Sequence, residues 1–288
     1  MIILEILKTI LIGIIEGITE WLPVSSTGHM ILVDEFVRLD MTEAFKELFF
    51  VVIQLGAILA VVVLYFDKLN PFSKKKSADE KKNTWRLWSK VIVGALPAAV
   101  IGLFLDDIIN DYLFGYITVA IALVAYGIAF IFIEKWREGK PYRVESVDDI
   151  SYTDALLIGG FQVLSLIPGT SRSGSTILGG MSMGVSRAAS SEFSFFLAIP
   201  IMLGASLLKV VKFGCEFATA ETPEAFIPAG QTGAYFAILA IGIIVSFAVS
   251  LFAIKFLMEF VKRHSFAPFG VYRIILGVAV ISYFFITK

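Results

Sequence analysis

Residues 16–29 read Glu16-Gly-Ile-Thr-Glu20-Trp-Leu-Pro-Val-Ser25-Ser26-Thr27-Gly28-His29, inside an otherwise apolar run from Met1 to Leu32. Acids at 5, 16 and 20, followed by Pro23 and three hydroxyl residues, are a poor continuation of one membrane helix. The pattern predicts a short helix, a polar break and a second short helix. A second run, Ala155–Val185, repeats the form: Gln162 precedes Pro168-Gly-Thr-Ser171-Arg172-Ser173-Gly-Ser-Thr176. Interrupted backbone of this kind is tolerated at membrane depth only where it is buried in protein or lines a cavity. Both runs are therefore expected to be re-entrant hairpins.

The surrounding sequence supplies the membrane. Apolar residues make up 57% of the 288, charged residues only 17%, and 26 are Phe. Soluble domains carry roughly a quarter charged residues, so the expected solvent is lipid. Six further segments meet the requirement of about 20 apolar residues for a spanning helix. They run from Leu48 to Phe66, Trp88 to Leu105, Tyr112 to Ile133, Phe193 to Val211, Tyr235 to Ile254, and Phe269 to Ile286. The expected fold class is an all-α integral membrane protein, with six transmembrane helices plus two re-entrant helical hairpins.

The excess of Lys and Arg in short loops orients the chain. The loop Asp67–Lys90 holds eight bases, Glu134–Ile150 carries Lys135, Arg137, Lys140 and Arg143 among acids, and Lys255–His264 carries Lys255, Lys262 and Arg263; these are expected on the cytoplasmic side. Asp106–Asp111 and Gly214–Gly233 carry acids and no base, and are expected outside. This alternation leaves the N-terminal hairpin and Lys288 outside. The first hairpin then enters from outside and the second from the cytoplasm, which makes the chain an inverted-topology repeat. Residues 1–134 form the first repeat (hairpin 1–44), 135–150 a cytoplasmic linker, and 151–288 the second repeat (hairpin 151–186). Inverted repeats with broken helices place their site near the midplane, where the breaks meet.

Composition excludes several function classes. A net charge of −1 argues against a nucleic-acid binder, so no nucleic-acid partner is expected. One cysteine, Cys215, precludes an intramolecular disulfide, and two histidines, His29 and His264, preclude a histidine cage for a metal. Met1–Lys8 carries Glu5 and lacks a basic n-region, so no removable signal peptide is expected.

The chemistry concentrates in the two breaks. Glu16 and Glu20 are four residues apart and share a helix face; intramembrane acids are costly and point to function. Together they could hold a divalent cation such as Mg2+ or Ca2+, or one could serve as a general base. Ser25, Ser26 and Thr27 supply hydroxyls, one of them as a helix N-cap. His29, three residues beyond Ser26, is spaced for a hydroxyl–imidazole pair. In the second break, Arg172 offers a planar fork for phosphate oxygens, and Ser171, Ser173 and Thr176 can donate to the same anion. Arg172 needs a counter-charge, which Glu16 or Glu20 could provide; a purely structural ion pair is the bland alternative. Gln54 sits in an apolar span and is a weaker candidate for the cavity wall. Arg187 reads as a cytoplasmic anchor, Arg273 as a residue that snorkels from the start of the last span, His264 as solvated, and Trp21, Trp85, Trp88 and Trp136 as an interfacial belt. The constellation suits a phosphate ester or pyrophosphate on a lipid tail, with a transporter of a phosphorylated solute as the rival.

These motifs resemble a known family. Residues 16–29 are similar to the acidic signature of the bacterial undecaprenyl-diphosphatases (BacA/UppP, the bacitracin resistance proteins), and residues 168–176 to their second signature. The resemblance extends to Phe193–Ala205 and to Phe269-Gly-Val-Tyr-Arg-Ile, and spans essentially the whole chain. It implies dephosphorylation of undecaprenyl diphosphate to the carrier lipid of cell-wall synthesis, bacitracin resistance, and dependence on a divalent cation. It also implies a multi-pass protein of the bacterial plasma (inner) membrane whose site opens to the outer face. A polyprenyl-phosphate transporter or flippase, or a dual enzyme–transporter, is the alternative, and a homodimer is left open.

Overall fold

Both interrupted runs fold as helix pairs in the computed structural model, which describes residues 2–113 and 115–287, without the side chains of residue 2 and residues 106–111. Met1 and Lys288, whose placement the charge pattern addresses, and the acidic side chains of 106–111 lie outside the described residues. The first pair is α1 (Ile2–Thr19) and α2 (Ser26–Val37); the second is α8 (Tyr152–Val163) and α9 (Arg172–Ser182). Between them in the chain come α3 (Glu43–Val52), α4 (Gln54–Leu64), α5 (Phe66–Leu69), α6 (Ala78–Leu113) and α7 (Tyr116–Arg137). The chain continues through α10 (Arg187–Thr219), α11 (Thr232–Arg263) and α12 (Ala267–Thr287).

Six stretches are long and apolar enough to span a bilayer: Glu43–Leu64, Ala78–Leu105, Tyr116–Arg137, Arg187–Thr219, Thr232–Arg263 and Ala267–Thr287. The protein is a multi-pass, all-helical membrane protein. Three boundaries differ from the sequence reading. Tyr112 belongs to α6, so the third span starts at Tyr116. Lys255–Arg263, read as loop, remains in α11, because amphipathic basic side chains extend a helix into the headgroup region without breaking it. The first span is interrupted at Ile53, where α3 gives way to α4.

Local chemistry explains the ends. Thr42 caps α3, Ser186 caps α10, and Ser151 with Asp154 forms a capping box at the start of α8, each satisfying backbone donors that a helix start leaves unpaired. Lipid supplies no hydrophobic drive between helices, so close backbone approach at small residues carries the packing. Alpha-1 lies on α11 at Gly17, where a Cβ would sit 2.8 Å from the Ser246 carbonyl oxygen; Ser250 Oγ donates to Gly17 O at 3.2 Å. On the other side, α8 lies on α6 at Gly159, where a Cβ would sit 2.2 Å from Gly94 O. At the base of the bundle, Arg187 pairs with Glu134, whose Oε1 also accepts from Phe266 N at 2.7 Å. The pair ties the end of α7 to the start of α10.

The two broken pairs match position for position at a separation of 146 residues. Ser25 caps α2 and Ser171 caps α9, with Gly28 N donating to Ser25 Oγ (3.2 Å) and Gly174 N to Ser171 Oγ (3.1 Å). Ser25 O then receives the ring of His29, and Ser171 O the hydroxyl of Ser175. His29 meets Tyr272 of α12; Ser175 meets Tyr126 of α7. Four position pairs (25 and 171, 28 and 174, 29 and 175, 126 and 272) thus share one register.

Candidate active site

The first break begins where α1 ends at Thr19 and runs through Pro23, whose ring removes a backbone donor and ends helical propagation. The second runs from a short 3-10 turn, Leu164–Leu166, through Pro168-Gly169. Each closes on a serine with left-handed backbone: Ser25 at φ 74° and Ser171 at φ 72°. Such conformations cost of order 1–3 kcal/mol each and persist where surrounding contacts over-determine them. Here both hydroxyls are committed as caps. Ser25 and Ser171, read as anion ligands, thus also frame the next turn of helix; a capping oxygen accepts from N–H and keeps its own O–H to donate.

Glu20 joins the breaks. Its Oε1 accepts from Arg172 Nη2 at 2.9 Å and its Oε2 from Ser26 Oγ at 3.0 Å. Both partners of this ion pair are about nine-tenths buried. Arg172 Nη1 donates to Ser194 O at 2.7 Å, and its guanidinium lies 5.5 Å from the Trp21 ring centroid. Ser173 Oγ donates to Glu20 O at 3.2 Å, holding α9 against the first break. Glu16, one turn before Glu20, is buried against it; its Oε1 has no hydrogen-bond partner.

Several expectations change. Ser26 and His29 do not pair: Ser26 turns to Glu20, while His29 Nδ1 lies 2.7 Å from Ser25 O and Nε2 lies 2.6 Å from the Tyr272 hydroxyl. The i, i+3 spacing permits the pair, but the end of α1 lies opposite Ser26 and offers a stronger, charged acceptor. Thr176 is buried, with Oγ1 bonded to Ser194 Oγ at 2.7 Å and to Arg172 O at 3.0 Å, so it braces α9 against α10. Thr27 and Gln54 are half-buried and make no hydrogen bond to the cluster among the described residues. Trp21 is not interfacial; it is fully buried and packs edge-on to Phe195 at 5.2 Å.

The largest correction concerns Arg273. It does not snorkel: it is fully buried, donating from Nη1 to Pro23 O (3.2 Å) and from Nη2 to Gly169 O and Thr170 O (2.9 Å each). One guanidinium thus ties both breaks by their carbonyls. An arginine seven residues into an apolar helix was the available signal, but near a helix end it reads equally as an anchor.

No group of three or more His, Cys, Asp or Glu side chains fit for a metal occurs among the described residues. Glu16 and Glu20 alone offer paired carboxylates, and the unpartnered Glu16 Oε1 is an oxygen that a hard cation would satisfy.

The match to the family model "bacitracin resistance protein BacA" covers residues 9–279. The chain belongs to this family. Proteins named undecaprenyl-diphosphatase from Enterococcus faecalis (55% identical over 276 residues, covering 96% of each chain) and Desulfitobacterium hafniense (54% over 285 residues, 99% of this chain and 98% of that one) are similar to it throughout. A third, from Acetivibrio thermocellus, is 54% identical over 281 residues, covering 98% of each. Both breaks, Arg273 and Tyr272 lie inside the family match, so the site is built wholly from the shared part of the chain.

Proposed function

We propose that the protein hydrolyses undecaprenyl diphosphate to undecaprenyl phosphate and inorganic phosphate, recycling the carrier lipid and conferring bacitracin resistance. The observation that carries this reading is the Ser26–Glu20–Arg172 array, in a chain of the bacitracin resistance family whose close relatives bear the diphosphatase name. It joins a nucleophile, a base and an anion-binding fork at the meeting of two buried breaks. We read residues 1–134 and 151–288 as inverted repeats, 135–150 as their linker, and both broken pairs as re-entrant hairpins; the 146-residue correspondence supports this.

In the mechanism, Arg172 exchanges part of its contact with Glu20 for the terminal phosphate and steadies charge developing there. Ser26 Oγ attacks the terminal phosphorus while its proton passes to Glu20 Oε2. The bond from phosphorus to the bridging oxygen breaks, and undecaprenyl phosphate leaves. Water then attacks the phosphoserine phosphorus and gives its proton to His29, while Glu20 returns its proton to Ser26 Oγ as the bond from phosphorus to Oγ breaks and phosphate is released. Glu16 and Glu20 would hold a divalent cation, Mg2+ or Ca2+, which when bound neutralises phosphate oxygens. Attack by His29, or by water directly, is the competing chemistry. The charge pattern supports a site that opens to the outer side of a bacterial plasma membrane, and a homodimer is compatible with this reading.

The test is phosphate release from undecaprenyl diphosphate by purified protein in detergent, with and without chelator, beside Arg172→Ala. Release abolished by chelator and by the substitution is expected. No release from folded wild-type protein would overturn the enzyme reading and favour lipid transport, for which the equivalence of the two breaks is the supporting observation.

A further inference from the structure

His29 is the one site residue whose contacts point away from the Ser26–Glu20–Arg172 line. Its Nδ1 faces the Ser25 carbonyl oxygen at 2.7 Å, and a carbonyl can only accept, so Nδ1 carries the proton. In the neutral ring Nε2 then presents a lone pair, and the partner 2.6 Å away is the Tyr272 hydroxyl, which donates to it. The two rings lie within 12° of parallel, 5.6 Å apart. Tyr272 is 44% exposed.

We propose that Tyr272 is a positioning residue for His29: the Ser25 carbonyl keeps one proton on Nδ1, and the Tyr272 hydroxyl holds the ring and is the group through which a proton reaches Nε2, passing its own proton to Nε2 as it takes one from water. The molecule contains its own comparison. At the matching place in the second half, Tyr126 meets Ser175, which in turn donates to Ser171 O at 3.0 Å. A tyrosine against the first turn after the break is therefore a feature of both halves. In the second half it meets a hydroxyl. In the first half it meets the basic nitrogen of the imidazole, the one that can take up a proton. Arg273, adjacent to Tyr272, lies over the ring of Tyr126 at 5.4 Å and is spent on the carbonyls of the breaks, so it does not compete for Nε2.

The inference rests on the proposed phosphatase activity for its rate effect, but its structural core can be read without turnover. His29 and His264 are the two histidines, so His264→Gln leaves one imidazole for 15N spectroscopy of histidine-labelled protein in detergent. The expected spectrum has the proton on Nδ1 and a hydrogen-bonded, unprotonated Nε2; Tyr272→Phe shifts the Nε2 resonance and leaves the proton on Nδ1. In phosphate release, Tyr272→Phe is expected to lower kcat about 10- to 100-fold, part of the ~10²–10⁴ that positioned acid–base catalysis supplies, with KM within about twofold. Tyr126→Phe is expected to stay within about twofold of wild type. A proton on Nε2 in the wild type, an unchanged kcat in Tyr272→Phe, or equal losses in the two variants would each overturn the proposal. If wild-type protein released no phosphate, the function would fall while the nitrogen spectrum still judged the tautomer.

Discussion

A buried carboxylate shared between a hydroxyl and a guanidinium makes the site sensitive to small changes. Arg172 uses its fork twice, on Glu20 Oε1 and on Ser194 O; a lysine keeps the charge but reaches as a single point. Arg172→Lys is expected to lower phosphate release about 10²- to 10³-fold, the usual cost of losing a preorganised donor, with the melting temperature in detergent showing the fold intact. Ser26→Ala removes the nucleophile and leaves Glu20 its arginine. Release should fall to the level of uncatalysed controls, and near-normal turnover by a folded variant would sink the serine mechanism. Glu20 and Arg172 were legible in the sequence because charges inside apolar runs are costly and need partners. The partner of Ser26 was not, because helical spacing reports neighbours on one helix and Glu20 comes from another. Arg273 was missed for a related reason: its partners are backbone carbonyls in the breaks, which carry no residue-type signature.

Among the elements, the two short helices after the breaks depend on serines in a conformation that side chains resist. At Ser171, alanine would lose the cap to Gly174 N and keep the φ of 72°, whereas glycine loses the cap but adopts that φ freely. Ser171→Gly is therefore expected to be more stable than Ser171→Ala by about 1 kcal/mol, read from detergent unfolding; equal stabilities would refute the strain. The start of α8 carries a pH-sensitive element. Burial raises the Asp154 carboxyl, but hydrogen bonds from Arg143 and Ser151 outweigh it and hold the group below the usual carboxylate range. A depressed carboxylate contributes stability above its unfolded value, and that contribution is lost as pH falls through the folded one. Asp154→Asn should thus narrow the stability difference between neutral and acid pH, measured by melting temperature at each. Helix existence was readable from apolar length, and breaks from Pro, Gly and hydroxyl runs. The interruption at Ile53 was not, since nothing in Val51-Val-Ile-Gln54 disfavours a helix; tertiary packing sets it.

For the whole molecule, charge at the helix ends orients what hydrophobicity inserts. Basic residues gather at 67–90, 134–150 and 255–264, which alternation places on one face of the membrane. On the proposed topology, the acidic loop after α10 lies on the other face, and the breaks, entered from opposite sides, meet between them. Half-against-half symmetry was legible as weak motif echoes; the register of 146 was not, because the prolines of the two breaks, Pro23 and Pro168, align at 145, while the capping serines and the tyrosines opposite them match at 146. Orientation has a direct chemical test in the chain itself. Cys215 is the single cysteine, exposed, and four residues from the end of α10. A membrane-impermeant maleimide applied to right-side-out vesicles should label it, and Cys215→Ser should abolish the signal. A cysteine placed by Ser77→Cys in the Cys215→Ser background should react only after permeabilisation. The opposite pattern would turn the protein over in the membrane and open the site to the cytoplasm, so that the diphosphate would have to be met on the inner leaflet.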